Sequence, residues 1–482
     1  MSLVVYNTLS RTKETFAPHD PKHVKMYLCG PTVYGLLHVG NFRGPIFFNL
    51  VRNWLEHLGY KVTFVYNYTD VDDKIIHQAN VEGVSSGELA ERYIKEFQAD
   101  YSRLGLRPHD LNPKVTDTMP EIIAMIGELV EKQKAYAVKG DVNYSIRSFA
   151  DYGKLSNRKP EDLMAGVRID RDHDKKDPLD FALWKGAKPG EPAWTSPWGE
   201  GRPGWHIECS AMIRKHLGDK IDIHGGGLDL VFPHHENEIA QSEGCTGHGF
   251  VKYWMHNNMI NFGGSKMSKS LGNIMRGREF MDLHGAEVFK FMMCSAHYRS
   301  VLDLSDEAVE NSTKGLARIY SAMALAESLI TSEAKPEPAF EKICGDAWVQ
   351  IETAMNDDFG TPEALARVYD VIRQYNAAVK RGMKANPAVS GKSLSLVNFI
   401  KKFGAFMALF QQPAASFLKT LDDRLLAKMK LDPTMVQALV IERSQARAAK
   451  DFAKSDELRK KLTEMGIAVA DLPEGSFWEV QK

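Results

Sequence analysis

Apolar positions near the N-terminus follow a strand, helix, strand order. Residues 25–29 form a short, largely apolar run that predicts a buried strand. The segment VTFVYNY, rich in β-branched and aromatic residues, predicts a second strand. Between them, apolar residues recur at helical spacing up to Gly59, which ends the predicted helix: Ile46, Phe47, Leu50, Val51, Trp54, Leu55 and Leu58. This order indicates a right-handed parallel unit, the start of a nucleotide-binding sheet.

The first 310 residues are expected to form one α/β domain with a Rossmann-type, doubly wound parallel sheet. The strand pattern resumes at residues 221–227 and 251–260. Residues from about 115 to 200 are predicted to be an insertion. The insertion holds a helix near residues 119–135 and then a stretch rich in charge, Gly, Pro and Trp.

Beyond this sheet the pattern becomes almost wholly helical. Residues from about 261 to 310 are expected to complete the first domain. Polar or Pro-rich breaks then bound an all-α helical bundle at 311–415 and a small α+β unit at 416–482. In the small unit we expect one or two helices and a tail with strand-like segments.

Composition narrows the class of protein. The chain has 482 residues, 44% hydrophobic and 26% charged, with a formal net charge of -1, so nucleic-acid binding would require local basic surfaces. Five cysteines in this length do not make a disulfide framework. The N-terminus lacks the pattern of a signal peptide, and no apolar run is long enough to span a bilayer. We therefore expect a cytoplasmic protein without a membrane partner.

Two thiols, an imidazole and a carboxylate could complete a zinc site although they are far apart in sequence. Cys29 follows the first predicted strand, and Cys209 lies in PGWHIECSAM. In PHHENE, a helix beginning at Pro233 would place His234 and Glu238 on one face. His235 is the alternative ligand because it lies three residues before Glu238. Geometry alone leaves this choice open, and such a site would be assembled by the fold.

Two further segments lie where a parallel sheet binds its ligands. In LLHVGN, Gly40 permits close approach of a ligand, and His38 and Asn41 could donate hydrogen bonds toward phosphate. A turn with a capping Asn is the alternative for that segment alone. In KMSKS, Lys266 and Lys269 supply two cations, although two lysines in a loop are usually only solvated.

Together these two segments are the signature of class I aminoacyl-tRNA synthetases, and the chain resembles the cysteinyl-tRNA synthetase family almost end to end. The similar segments include YLCGPTVYGLLHVGN, YNYTDVDDKII, DIHGGGLDLVFPHHENEIAQSEG, KMSKSLGN and ARAAKDFAKSDELRKKLTEMGI. Two departures are visible. Asn41 occupies the fourth position of the HIGH-type motif, and IMRGREF, after KMSKSLGN, is more basic than the family pattern.

The resemblance implies a cysteine–tRNA ligase that uses ATP with Mg²⁺ and one Zn²⁺ per subunit, and it suggests a monomer. Cysteine would be activated to an adenylate and transferred to the 3′-terminal adenosine of tRNA(Cys). The implied residues are the zinc ligands Cys29, Cys209, His234 and Glu238, the amino-acid pocket Thr69, Trp205, His206 and His224, and the ATP-binding and catalytic group His38, Gly40, Asn41, Asp229, Lys266 and Lys269. Trp205 could instead be core, and Asp229 could instead cap a turn.

Zinc suits this substrate for a chemical reason. Packing differences as small as that between cysteine and serine give only about 1–3 kcal/mol of discrimination. Zinc lowers the pKa of a thiol and binds the thiolate, whereas an alcohol is a poorer ligand. We therefore expect direct coordination of the substrate sulfur and no editing domain. A purely structural zinc is the alternative.

Near the C-terminus, basic residues recur at helical spacing and predict one cationic helix face. They are Arg443, Arg447, Lys450 and Lys454. A solvated face is the default, and contact with tRNA is the functional hypothesis. Trp478 could stack on an anticodon base or pack within the small unit.

Two other functions fit parts of the sequence. A ligase that joins cysteine to an amino sugar in mycothiol synthesis would share the adenylating core and the zinc site but should lack the terminal tRNA-binding unit. A non-catalytic RNA-binding protein with the same fold would not need KMSKS or a full zinc shell.

Overall fold

The computed structural model describes residues 2–159, 175–262, 265–266, 275–472 and 475–481. These residues divide into two compact units. The first unit comprises Met1–Arg278, His297–Leu302 and Asn356–Phe359. The second comprises Glu279–Ala296, Asp303–Met355 and Gly360–Lys482. No helix in the described ranges is long and apolar enough to cross a membrane.

The first unit is a mixed α/β structure. Its strands are β1 (Val4–Asn7), β2 (Thr12–Thr15), β3 (His23–Leu28), β4 (Lys61–Tyr66), β5 (Ala135–Val138), β6 (Asp141–Tyr144), β7 (Phe181–Gly186), β8 (Gly201–Pro203), β9 (Ile221–Gly227), β10 (Val251–Asn257), β11 (Ile260–Phe262), β12 (Ser265–Lys266) and β13 (Leu302–Asp303). Its helices are α1 (Arg43–His57), α2 (Asp73–Glu82), α3 (Ser86–Arg103), α4 (Met119–Glu131), α5 (Trp205–Leu217) and α6 (Glu236–Thr246).

A four-stranded parallel sheet lies at the centre of this unit, in the order β10-β9-β3-β4. Met26 in β3 pairs with Phe64 in β4 on one side and with Ile223 in β9 on the other. The chain builds outward from β3 to β4 and then returns to the other side of β3 with β9 and β10. The order therefore reverses between β3 and β9, and ligands bind at the carboxyl ends of strands at such a point.

The predicted α/β class and parallel sheet are confirmed. The predicted strands at 25–29 and 62–68 correspond to β3 and β4, and the predicted strand at 221–227 corresponds to β9. Residues 251–260 hold β10 and the first residue of β11. Helix α1 buries its apolar side, and Gly59 adopts φ 92° just after it, a conformation that glycine accommodates without strain.

The predicted insertion contains an antiparallel sheet that the hydrophobic pattern did not predict. Strands β5 to β8 pair in sequence order, and α4 precedes them. Helix α4 buries Ile122, Ile126 and Leu129 in the same core that contains Tyr144 and Trp184 of this sheet. The strands are three to six residues long, which is too short for a clear alternating pattern.

The second unit is mostly helical. Its helices are α7 (Gly277–His284), α8 (Ala286–Ser295), α9 (Asp306–Leu329), α10 (Pro338–Asn356), α11 (Thr361–Ala378), α12 (Pro387–Met407), α13 (Ala414–Met429), α14 (Pro433–Ala448) and α15 (Phe452–Glu464). An antiparallel hairpin of β14 (Ile467–Leu472) and β15 (Gly475–Val480) follows. Leu426, Val440, Leu462 and Ile467 share a small core, so the predicted strand-like tail is a hairpin packed on helices.

Candidate active site

Four potential metal ligands converge at the point where the strand order reverses. Cys29 directly follows β3, and Cys209 lies in α5. His234 lies in the turn that leads into α6, and Glu238 lies in the first turn of α6. Their donor atoms all lie within 4.8 Å of one another, and all but Cys29 are buried. The fold therefore brings together the four residues that the sequence predicted as zinc ligands.

The distances between these donor atoms suit a tetrahedral ion. Zinc binds sulfur at about 2.3 Å and nitrogen or oxygen at about 2.0–2.2 Å, so two ligands of one tetrahedral ion lie about 3.3–3.8 Å apart. The two Sγ atoms of Cys29 and Cys209 are 3.7 Å apart. Cys29 Sγ is 3.6 Å from Glu238 Oε1, and His234 Nε2 is 3.1 Å from the same oxygen. The donor set fits zinc in chemistry, and two of these three distances fall within the tetrahedral range while the third is slightly shorter.

A second set of four residues overlaps the first. Cys29, His224, His235 and Glu238 also have donor atoms within 4.8 Å of one another. In this set His224 Nε2 lies 2.8 Å from Glu238 Oε2, which is a hydrogen-bond distance and is short for two ligands of one ion. This distance argues against His224 as a ligand and suits a hydrogen bond that orients the Glu238 carboxylate. His234 Nε2 and His235 Nε2, at 3.1 and 3.9 Å from Glu238 Oε1, both lie within reach of a shared ion, so the choice of His234 rests on the resemblance.

His235, the alternative ligand, belongs to a chain of side chains behind the thiols. Its Nε2 lies 3.3 Å from Cys29 Sγ, and its Nδ1 lies 2.8 Å from His256 Nε2. His256 Nδ1 in turn lies 2.8 Å from Thr8 Oγ1. Hydrogen bonds of this kind fix the orientation of metal ligands. Sequence reasoning missed His256 and Thr8, since a His inside an apolar strand and an N-terminal Thr give no local signal.

The ionisation of the thiol pair favours metal binding. The hydrogen bond from Cys29 lowers the pKa of Cys209 to about 6, whereas burial raises the pKa of Cys29. Burial opposes ionisation of Glu238, but the nearby His224 and His234 lower its pKa to about 2. The cluster thus contains a thiolate and a carboxylate near neutral pH, and thiolate is the form of cysteine that binds metals.

Of the four residues predicted for the amino-acid pocket, Trp205, His206 and His224 contact His234 or Glu238 of this cluster. Thr69 Oγ1 donates a hydrogen bond at 3.2 Å to Oε2 of Glu208, the residue before Cys209. Trp205 stacks on His234 with ring centroids 4.3 Å apart and is 39% exposed, so it is not a core residue. His206 Nδ1 lies 3.1 Å from His234 Nδ1, and His224 contacts Glu238. Burial lowers the pKa of His206 to about 3, so this ring is neutral.

A cavity of about 890 Å³ runs from Cys29 and Trp205 to the HVGN turn. The predicted nucleotide residues His38, Gly40, Asn41 and Asp229 line it. The cavity also reaches Asn257 at the end of β10, Ile260 just beyond it, and Arg276. A volume of this size is typical of a site for a nucleotide-sized ligand.

The HVGN turn is a capped turn that also lines the cavity, so its contact with phosphate stays a prediction. His38 caps a short 3₁₀-helix: its Nδ1 accepts a hydrogen bond from Gly40 N at 3.1 Å, and its own backbone N–H donates to Asn41 Oδ1 at 3.0 Å. Asn41 is thus a capping residue that also lines the cavity. Lys269 lies outside the described residues, and Lys266 is described only as the last residue of β12, so the placement of the KMSKS side chains stays a prediction.

The prediction of one cationic helix face near the C-terminus is wrong. Helix α14 ends at Ala448, Lys450 adopts φ 62°, and Asp451 caps the start of α15, so the four cations are divided between two helices and a turn. Arg443 is 2% exposed and makes two hydrogen bonds to Asp471, at 2.7 and 2.9 Å. Because its guanidinium is buried in this ion pair, Arg443 is a structural residue rather than part of a surface for tRNA.

Two other members of that predicted group also have partners. Arg447 pairs with Asp471, and Lys454 Nζ lies 2.7 Å from Glu442 Oε1. Trp478 Nε1 donates to Gln437 Oε1 at 2.7 Å, and the ring packs against the small core. Of the two interpretations of Trp478, the contacts favour packing within the small unit.

The parallel sheet, the HVGN turn and the KMSKS segment define a class I aminoacyl-tRNA synthetase, and known structures agree. Methionyl-tRNA synthetase of Mycobacterium tuberculosis in complex with methionyl-adenylate matches with a TM-score of 0.60 and 13% identity over 86% of this chain and 95% of that one. A leucyl-tRNA synthetase of Agrobacterium radiobacter K84 matches with a TM-score of 0.56 and 12% identity over 83% and 87%. At these identities the likeness shows the fold alone.

Sequence comparison gives the particular family. Residues 15–314 match the model of the tRNA synthetases class I (C) catalytic domain, residues 350–411 a DALR domain, and residues 433–478 a cysteinyl-tRNA ligase anticodon binding domain. Cysteine–tRNA ligases of Bdellovibrio bacteriovorus and Geobacter sulfurreducens are 63% and 45% identical over the full length of both chains. The chain belongs to the cysteine–tRNA ligase family, as the resemblance implied.

Proposed function

We propose that this protein activates L-cysteine with ATP, transfers it to the 3′-terminal adenosine of tRNA(Cys), and selects cysteine through a bound zinc ion. The observation that carries the zinc proposal is the convergence of four donor atoms from three separate parts of the chain to within 4.8 Å of one another. The proposed ligands are Cys29, Cys209, His234 and Glu238.

Bound zinc would supply a soft Lewis acid that prefers the thiolate of cysteine over the hydroxyl of serine. The surrounding residues prepare the pocket. His224 holds the Glu238 carboxylate at 2.8 Å, and Trp205 covers His234 from the cavity side. Because burial keeps His206 neutral, this ring adds no positive charge beside His234. Thr69, on the loop after β4, hydrogen-bonds to Glu208 and is proposed as the fourth residue of this pocket.

The adenylation step needs alignment and charge stabilisation and no enzyme nucleophile, because the cysteine carboxylate itself attacks the α-phosphate and pyrophosphate leaves. We assign the alignment to His38, Gly40 and Asn41, with Lys266 and Lys269 as the cations and Mg²⁺ on ATP. Asp229, exposed at the cavity wall, is positioned to bind a ribose hydroxyl.

The acceptor is proposed to be tRNA. The match of residues 433–478 to an anticodon binding domain supports it, and an amino-sugar ligase would have no use for such a unit. Lys450, Lys454 and Arg447, exposed in the second unit, are the cations left for tRNA contact once Arg443 is assigned to its ion pair. We expect the protein to act in the cytoplasm as a monomer.

One set of assays tests the proposal. Purified protein should contain one zinc per chain and catalyse cysteine-dependent exchange of pyrophosphate into ATP, with serine at least about 10³-fold less effective because packing alone gives no more than about 200-fold. It should then charge tRNA(Cys) and not glucosaminyl-inositol. Charging of the amino sugar, or equal activation of serine, would contradict the proposal.

A further inference from the structure

The segment after KMSKSLGN, which is more basic here than in the family pattern, pairs with the HVGN turn. Val39 N donates to Met275 O at 3.0 Å, and Gly277 N donates to Leu37 O at 2.9 Å. These bonds place His38 and Arg276 opposite each other in an antiparallel bridge. Residues directly opposite in such a pair have side chains on the same face, with Cβ atoms about 4.5–5.5 Å apart. Arg276 is therefore a side-chain neighbour of His38.

The backbone of this segment is fixed on both sides of Arg276. At Gly277 any Cβ would lie 2.3 Å from the Phe42 ring, so the chain packs directly against the residue that ends the HVGN 3₁₀-helix. Arg278 Nε lies 3.2 Å from Oδ1 of the buried Asp100, and its Nη2 lies 2.5 Å from Glu96 Oε2, both in α3. These contacts thus hold the backbone around Arg276 in place, while the Arg276 side chain itself is exposed.

The charges on the cavity wall favour a polyanion. Among the described residues that line the cavity, Lys74 and Arg276 are cationic and Asp229 is acidic. Arg276 stands on the same wall as His38, Gly40 and Asn41. A guanidinium gives two parallel hydrogen bonds to a phosphate, a geometry that a lysine cannot provide.

We propose that Arg276 binds the polyphosphate of ATP beside His38, as a phosphate-binding residue outside the HVGN and KMSKS segments. The proposal rests on the proposed adenylation of cysteine and names a further group for that reaction. The Arg276 side chain adds positive charge where the leaving pyrophosphate gains negative charge. The added charge stabilises the transition state as well as bound ATP.

The test compares ATP with a ligand that lacks phosphates. R276M removes the charge, and R276K keeps the charge but cannot make two parallel hydrogen bonds to one phosphate. R147M is the control: it removes an exposed guanidinium in the inserted part, whose Nε lies 2.6 Å from Asp177 Oδ2. We expect R276M to raise the KM for ATP in cysteine-dependent pyrophosphate exchange about tenfold, the effect of losing one charge-assisted contact. Its affinity for adenosine should be unchanged. R276K should lie between, and R147M should match the unmodified chain.

Two results would overturn the proposal. An equal loss of affinity for ATP and adenosine would assign Arg276 to the base, the ribose or the cavity wall, and an unchanged KM for ATP would show that it makes no contact. R276Q, which is also uncharged but polar, repeats the comparison should R276M unfold at a lower temperature. If the proposed function itself is wrong, the unmodified chain will show no cysteine-dependent exchange, which is a different outcome from either.

Discussion

The Sγ atoms of Cys29 and Cys209 lie 3.7 Å apart although 180 residues separate them in the chain. One follows the central strand β3 and the other lies in α5, so only the folded sheet brings them together. Binding of the proposed zinc at these thiols would therefore be coupled to folding of the first unit, and the site would be lost when this unit unfolds. This is unlike a zinc finger, whose ligands come from one short segment.

The two neighbouring histidines should respond differently to substitution. H234Q removes a proposed ligand, so the purified protein should hold well under one zinc per chain. H235Q removes a partner of Cys29 that does not itself complete the tetrahedron, so zinc should remain, with an affinity about 10- to 100-fold weaker. Metal analysis and competition with a chelator measure both. Loss of zinc in H235Q with retention in H234Q would instead select the second ligand set.

Stability should depend on pH through His109. This ring lies among Phe64, Tyr66 and Tyr101, and burial, reinforced by the charge of Arg52, lowers its pKa to about 3. Unfolding restores a pKa of about 6.5. Between pH 6.5 and 3 the unfolded chain therefore binds the extra proton, and the free energy of unfolding falls as the pH falls, by about 1.4 kcal/mol per pH unit. Above pH 6.5 this effect is absent.

The variant H109F tests this effect because phenylalanine cannot bind the proton. Between pH 7 and pH 5 the unmodified chain should lose about 2 kcal/mol more stability than H109F, as measured by urea unfolding at each pH. Comparison with the variant at the same pH removes the contribution of zinc release, which both proteins share. Equal losses in the two proteins would show that His109 titrates normally in the folded state.

The buried Arg443 should stabilise the C-terminal hairpin of β14 and β15. R443M removes the two hydrogen bonds that Arg443 donates to Asp471. We expect a loss of about 3 kcal/mol, the lower end for a buried ion pair, because Asp471 is partly exposed and keeps its contact with Arg447. R447M, at a 52% exposed side chain, should cost about 1 kcal/mol or less. Hydrogen exchange of amides in α14, α15 and β14 measures both. Equal protection in R443M and R447M would refute the structural role of Arg443.

The sequence predicted those features that depend on a local pattern or a family segment. The β3, α1, β4 order followed from apolar spacing. The four residues proposed as zinc ligands followed from the resemblance, and the fold brings them together. The turn at Lys450 could not be predicted, because the segment ARAAKDF contains neither Gly nor Pro and the break comes from a left-handed Lys and the Asp451 cap. The chain of Thr8, His256 and His235 joins residues almost 250 positions apart, which only tertiary packing reveals.

The most direct test of the central claim replaces zinc with cobalt and adds the amino acid. Cobalt bound by two cysteines already absorbs through its thiolate ligands, and a third thiolate from the substrate should intensify and shift that absorption. We predict this change with L-cysteine and none with L-serine at the same concentration. An active cobalt protein whose spectrum is unchanged by saturating cysteine would show that the metal does not contact the substrate sulfur, and selection by thiolate binding would be wrong.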